Sequence, residues 1–444
     1  MGNTEMYVSL DIGTTSIKVV VAEYINGQMN IIGVGNEKSE GLNRGIIVDI
    51  DKTVQSINKA IKQAEQKANV DIYNVIVGIP SNSVEIEACH GMIAVSGENR
   101  EITEKDVQNV LAAAMVKSVP PEREILTILP EEFIVDGFDG IKDPRGMIGV
   151  RLEMHAIMIT GPKTILHNTK RCVEKAGLNI QNIVLQPLAA SSITMSSGER
   201  DFGTILVDMG GGQTTASVMH DHQLKYTYVD QEGGDYVTKD ISVVLNTTVE
   251  NAERIKRDYG YALPEETSQE EKFPVEVIGK NQPVKVDERY LSEIIEARLV
   301  QIFEKIKTEL DKVGARELPG GLIITGGAAA LPGIVELAED IFEIPVKLYI
   351  PNQMSMRYPT FTTGIGLIQH EANLDEIHQI VKEYQLGIAK NEDTSHHAKL
   401  EYPSDHHNED SSLEFEKLKP IKKEKKSEDK WSSKAKSFIS NFFD

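Results

Sequence analysis

Two segments of this chain, about half a chain apart, follow one plan. Ser9-Leu10-Asp11-Ile12-Gly13-Thr14-Thr15-Ser16-Ile17-Lys18-Val19 aligns with Leu206-Val207-Asp208-Met209-Gly210-Gly211-Gly212-Gln213-Thr214-Thr215-Ala216. In each, an apolar run ends in Asp-x-Gly, small or hydroxyl residues follow, and a second apolar run begins. That is a β-hairpin with a tight turn, used twice. A chain that repeats such a unit is expected to form two related lobes with a cleft between them. Strand and helix patterns alternate along most of the sequence, which places it in the α/β class. Asp51 can cap a helix through Ala68, and Thr103 with Asp106 opens another. Apolar residues at Leu291, Ile295, Leu299, Ile302, Ile306 and Leu310 mark a long helix over 288–313.

The turns carry chemistry. Glycine lets backbone N–H groups approach an oxygen-rich ligand with no Cβ in the way. Convergent N–H groups form an anion nest, and the hydroxyls of Thr14 and Thr15 add donors. Lys18 brings a cation to the same zone. Asp11 and Asp208 are placed to hold a hard cation through its water shell. Together the two turns can grip a di- or triphosphate and Mg²⁺. The chain has no GxxxxGK[ST], so it is not a P-loop protein. A third glycine element follows a buried strand at Gly326-Gly327-Ala328, where small side chains let a flat ring lie on the backbone. Glu253 and Lys256 share one face of a helix that ends at Gly260.

Charge then divides the chain. Of 444 residues, 47 are Lys or Arg and 68 Asp or Glu, a net −21. That balance argues against a nucleic-acid partner. Residues 392–416 sum to −7, whereas 417–444 sum to +5 and hold the lone Trp431. Trp431, Ala435, Phe438, Ile439 and Phe442 fall on one helical stripe beside Phe443, with Lys and Ser opposite. Such a helix is too short to span a bilayer but can lie in an anionic membrane surface. The two cysteines, Cys89 and Cys172, exclude a disulfide scaffold and suit a reducing compartment. No apolar run is long enough for a spanning helix.

In this order the elements resemble the nucleotide site of the superfamily of actin, the heat-shock chaperones and the sugar kinases. Asp11 to Thr15 with Lys18 resembles its first phosphate motif, Asp208 to Thr214 the second, and Gly326 to Ala328 the adenosine motif. Gln186-Pro187-Leu188-Ala189-Ala190-Ser191 and Thr363-Gly364-Ile365-Gly366 resemble its two connecting segments. Within the superfamily, residues 5–385 and the tail resemble the FtsA family of bacterial division proteins. Val77-Gly78-Ile79-Pro80, Val95-Ser96-Gly97, Gly233-Gly234-Asp235 and Ile294 to Arg298 carry that match.

The resemblance implies a two-lobed actin-like fold of duplicated ribonuclease H-like halves. Lobe 1 (1A) would take 1–83, 163–195 and 356–385, with a small inserted subdomain, 1C, at 84–162. Lobe 2 would take 196–229 and 316–355 (2A) and 230–315 (2B). A disordered linker over 386–428 and a membrane-targeting helix over 429–444 would follow. It implies ATP and Mg²⁺ as ligands, Gln186 orienting an attacking water beside Asp11 and Asp208, and at most a weak ATPase. Gly13, Gly210, Gly211, Gly212, Gln213, Thr214 and Gly234 would line the phosphates, and Glu253 and Lys256 the ribose and adenine. The implied partners are the C-terminal peptide of FtsZ, with Arg289 and Arg298 as contacts, further copies of the chain in filaments, the membrane surface and later division proteins. The implied place is the cytoplasmic face of the cell membrane at the septum. An actin-like adaptor of pilus or cell-shape machinery, or a small-metabolite kinase, are the alternatives.

Overall fold

The computed structural model describes residues 4–395 except 98, 117, 118, 354 and 355. Its first sheet opens with the hairpin Thr4–Ile12 and Ser16–Ile25, extended by Gln28–Lys38, with Asn74–Ile79 and Asn179–Leu185 added in parallel on the other side. Ile17, Val19, Val20, Val21 and Ala22 are all buried, because helices cover both faces of this strand. One cover is the helix Ile50–Ala68, which lays Ile57, Ala60, Ile61 and Ala64 on the sheet. Its cap is Asp49, which accepts from the Lys52 N–H; the expected cap, Asp51, sits inside the first turn. Extended backbone at Asp49 makes it the cap, and Asp51 still favours the helix N-terminus by its charge.

The second sheet repeats the first. Thr204–Met209, Thr214–His220 and Gln223–Asp230 form an antiparallel triple, and Leu322–Thr325 and Val346–Leu348 add in parallel. Strand order and direction match between the sheets, so the repeat read in the sequence is a repeat of architecture. Lobe 2 also carries the helices Gly234–Leu245, Val249–Tyr259 and Glu288–Lys312 beside a short hairpin of Lys272–Val275 and Val284–Asp287.

A third sheet interrupts lobe 1. Its order is Glu85–Ala94, Arg151–Pro162, Arg123–Val135, Phe138–Ile141, and the helix Glu104–Met115 covers it behind a Thr103–Asp106 capping box. Ile377, Ile380 and Val381 of the helix Glu376–Ser395 complete the core of this sheet, although they were expected in lobe 1. The same helix continues past 385, where a linker was expected. Residues 377, 380, 381 and 384 are apolar at i, i+3, i+4 and i+7, and no proline interrupts the segment. The expected linker beyond 395 and the amphipathic stretch with Trp431, Phe438, Ile439, Phe442 and Phe443 lie outside the described residues. Among the described residues no helix is long and apolar enough to cross a membrane.

Candidate functional site

The two Asp-x-Gly turns face each other across the cleft. In the antiparallel register Asp11 stands opposite Lys18, and Asp208 opposite Thr215. Both turns close with the same bond: Gly13 N–H to the Ser16 carbonyl at 3.2 Å, and Gly210 N–H to the Gln213 carbonyl at 2.9 Å. They also nearly touch. A Cβ on Gly212 would lie 2.5 Å from the Thr14 methyl, and one on Gly211 would collide with the Thr15 hydroxyl. Only glycine permits this approach.

Between the turns lies a cavity of about 440 Å³, within the size range of small-molecule sites. Asp11, Gly13, Thr14, Thr15 and Lys18 line it from lobe 1. Asp208, Gly210, Gly211, Gly212, Gln213 and Gly234 line it from lobe 2, with Gln186, Glu253, Lys256, Gly326, Gly327 and Ala328. One expected residue is absent. Thr214 is fully buried, and its hydroxyl donates to the Glu232 carbonyl at 2.9 Å. Strand alternation sends Thr215 to the cleft instead, and the sequence repeat already pairs Thr215 with Lys18. Asp235, Tyr358, Pro359 and Thr360 also line the cavity and were not foreseen. Asp235 is adjacent to the glycine pair at 233–234, which was its signal. The other three lie at a single 3₁₀ turn, Pro359–Phe361 with Tyr358 as its cap, too short to show a periodic pattern.

The two aspartates are held differently. Asp11 pairs with the Lys18 ammonium at 3.2 Å and accepts from the Gln186 amide at 3.0 Å. Asp208 accepts from the Thr363 hydroxyl at 3.3 Å. Burial and the neighbouring Asp11 carboxylate push Asp208 up to about 6, against the pull of Lys18 and Thr363. A divalent cation between these carboxylates would restore the ionised form. Gln213 Oε1 is buried with no donor among the described residues. The two carboxylates fit a hard, water-clad cation such as Mg²⁺. At the far end Lys256 pairs with Glu253 at 2.7 Å and donates to the Gly234 carbonyl at 3.0 Å. The pair therefore forms part of the cavity wall.

The residues that grip the aspartates open two helices. Gln186 begins Gln186–Thr194, and Thr363 lies in the first turn of Thr362–Ala372. These helices cross closely, with the Ser192 hydroxyl donating to the Gly366 carbonyl at 3.1 Å. A Cβ on Gly366 would strike the Ala189 carbonyl.

Arg298 does not present a free cation to a partner peptide. Its guanidinium forks onto Asp240 at 2.6 and 3.1 Å and reaches Glu232 at 3.0 Å, tying Glu288–Lys312 to Gly234–Leu245. A guanidinium matched to two carboxylates has little capacity left for a third. Arg289, partly exposed, sits near Glu293 at 3.5 Å on the same helix.

Two lobes of one sheet order, joined by two crossed helices and closing paired Asp-x-Gly turns on one cavity, define an actin-like protein. Solved structures agree on this fold. A PilM–PilN type IV pilus biogenesis complex matches at 15% identity and TM-score 0.57, over 81% of this chain and 97% of that one. MreB5 of Spiroplasma citri bound to ADP matches at 14% and TM-score 0.51, over 88% and 98%. The family profile described as "Cell division protein FtsA" matches residues 205–366, and "SHS2 domain inserted in FTSA" matches 81–160. The cell division protein FtsA of Enterococcus hirae is 58% identical over the whole of both chains. The chain belongs to the FtsA family of cell division proteins, and that membership sets aside the pilus-adaptor and kinase alternatives.

Proposed function

We propose that the chain binds ATP with Mg²⁺ in the inter-lobe cavity, assembles into filaments, and holds FtsZ filaments at the cytoplasmic membrane of the septum, where it recruits later division proteins. The observation that carries the nucleotide reading is the opposed pair of Asp-x-Gly turns around one cavity. An ADP-bound relative of the same fold supports it. The glycine turns and Lys18 would receive the phosphates. Asp11 and Asp208 would hold Mg²⁺ through water, and the ion would neutralise phosphate charge. The wall formed by Glu253, Lys256 and Gly326 to Ala328 would take the ribose and base. Gln186, bonded to Asp11, would orient a water, and hydrolysis would be slow at most. ATP then acts chiefly as a ligand that favours the closed lobes by mass action.

The membrane reading rests on the stripe of Trp431, Phe438, Ile439, Phe442 and Phe443 among lysines. FtsZ docking is assigned to 2B, with the partly exposed Arg289 as the candidate cation there. Asp208→Ala should abolish ATP-dependent assembly of the full chain, as seen by sedimentation and electron microscopy. Normal filaments in that variant would sink the nucleotide reading.

A further inference from the structure

A small hairpin stands at the phosphate end of the cavity. Leu42–Asn43 pairs with Ile46–Ile47, and the turn between them is Arg44 at φ 49° and Gly45 at φ 74°. Two successive left-handed residues make the tight two-residue turn whose twist suits a hairpin, so the tip is rigid. The Gly45 N–H donates to the Thr14 hydroxyl at 2.8 Å. On its other side, a Cβ on Gly45 would collide with the Gln213 side chain of lobe 2. The tip therefore stands between the two phosphate turns.

Arg44 then crosses to lobe 2. Its guanidinium donates to Gln231 Oε1 at 3.2 Å and to the Tyr236 hydroxyl, and lies 5.6 Å from the centre of the Tyr236 ring. Tyr236 belongs to the helix whose first turn is laced to the second phosphate turn, Gly234 N–H to Gly210 O at 3.0 Å and Asp235 N–H to Gly211 O at 2.9 Å. The same ring lies 5.6 Å from Arg298, so one aromatic side chain contacts a cation from each lobe.

We propose that the Leu42–Ile47 hairpin gates the cleft, with Arg44 as the latch to lobe 2 that sets how fast nucleotide leaves. This rests on the nucleotide reading above. A ligand held between the lobes leaves when they part, and parting them breaks the Arg44 bonds to Gln231 and Tyr236. Arg44 is exposed, so the latch is weak enough to open repeatedly. Arg44 touches no expected phosphate position and acts through the closure of the lobes, which makes it a positioning residue.

Two measurements on the full chain test it. In the first, without nucleotide, amide hydrogen exchange of Arg44→Ala is compared with the unaltered chain. Faster exchange at Gly45 and across 210–213 is expected, and unchanged exchange there overturns the latch whatever the ligand. In the second, release of a fluorescent ATP analogue is followed by stopped flow. Arg44→Ala should release it about threefold to tenfold faster, the effect of losing one or two modest charged hydrogen bonds, with association changed less. Arg44→Lys should restore part of the difference, and Tyr236→Phe should add little in the Arg44→Ala background. Equal release rates in Arg44→Ala and the unaltered chain overturn the gate. If the unaltered chain binds no analogue, the nucleotide reading fails and takes the gate with it, while the exchange result still reports on the latch.

Discussion

At the scale of single residues, position in a register decides role. Lys18 and Thr215 stand at equivalent places in the two hairpins, yet one brings a charge and the other a hydroxyl. The cavity is thus symmetric in backbone and asymmetric in charge, which leaves Asp208 with the weaker partner. Arg298 shows the converse, a cation whose surroundings absorb it. Arg298→Glu should place a third acid beside Asp240 and Glu232. We expect a clear fall in thermal midpoint, with loss of FtsZ-peptide affinity following from damage to 2B. Arg289→Glu should weaken the peptide without that fall. An Arg298→Glu variant with an unchanged midpoint would refute the internal role. His370 supplies a pH dependence. Burial pushes its imidazole down to about 4 from an ordinary 6.5, so the folded chain resists the proton that the unfolded chain accepts. Its contribution is complete above about 6.5 and is lost as pH falls towards 4. The midpoint of His370→Gln should fall less over that window; parallel curves would exclude His370 as a source.

At the scale of elements, the hairpins were legible because a repeated Asp-x-Gly between apolar runs has few other uses. That Thr214 turns inward is legible only through the repeat, which aligns Thr214 with the buried Ile17 and Thr215 with Lys18; the motif taken alone does not say which face of the strand meets the cleft. The pairing of Arg298 is hidden from the sequence for a different reason: its acidic neighbours Asp240 and Glu232 lie far from it along the chain. The helix Glu376–Ser395 is hard to read in the sequence because its apolar face is short and ends near acidic residues. Its contacts are now specific. Ile380 is buried in the core of the inserted sheet, so Ile380→Ala should cost about 2–5 kcal/mol. Amide exchange in Glu85–Ala94 and Arg151–Pro162 should rise more than in Thr204–Met209. Equal rises would mean that the helix supports the molecule generally and not this sheet in particular.

At the scale of the molecule, the duplicated lobes account for the cavity, and the charge division accounts for the rest of the chain. Most of the net charge of −21 lies before residue 392, while 417–444 reverse the sign. Removing 429–444 should release the full chain from anionic liposomes in co-sedimentation, with ATP-dependent assembly in solution retained. Unchanged co-sedimentation would refute the anchor. The two crossed helices and the cleft were foreseeable in outline, because both connecting segments carry small residues that permit close crossing. The closing of the inserted sheet by a later helix was not, because nothing local links residue 380 to residue 133. That closure has a practical consequence for anyone cutting the gene. The insert looks like a cassette bounded at 84 and 162, but its last layer is encoded more than two hundred residues downstream. Excised at those bounds, it would lose the side chains that seal its interior, and a transplanted version must bring that distant segment with it.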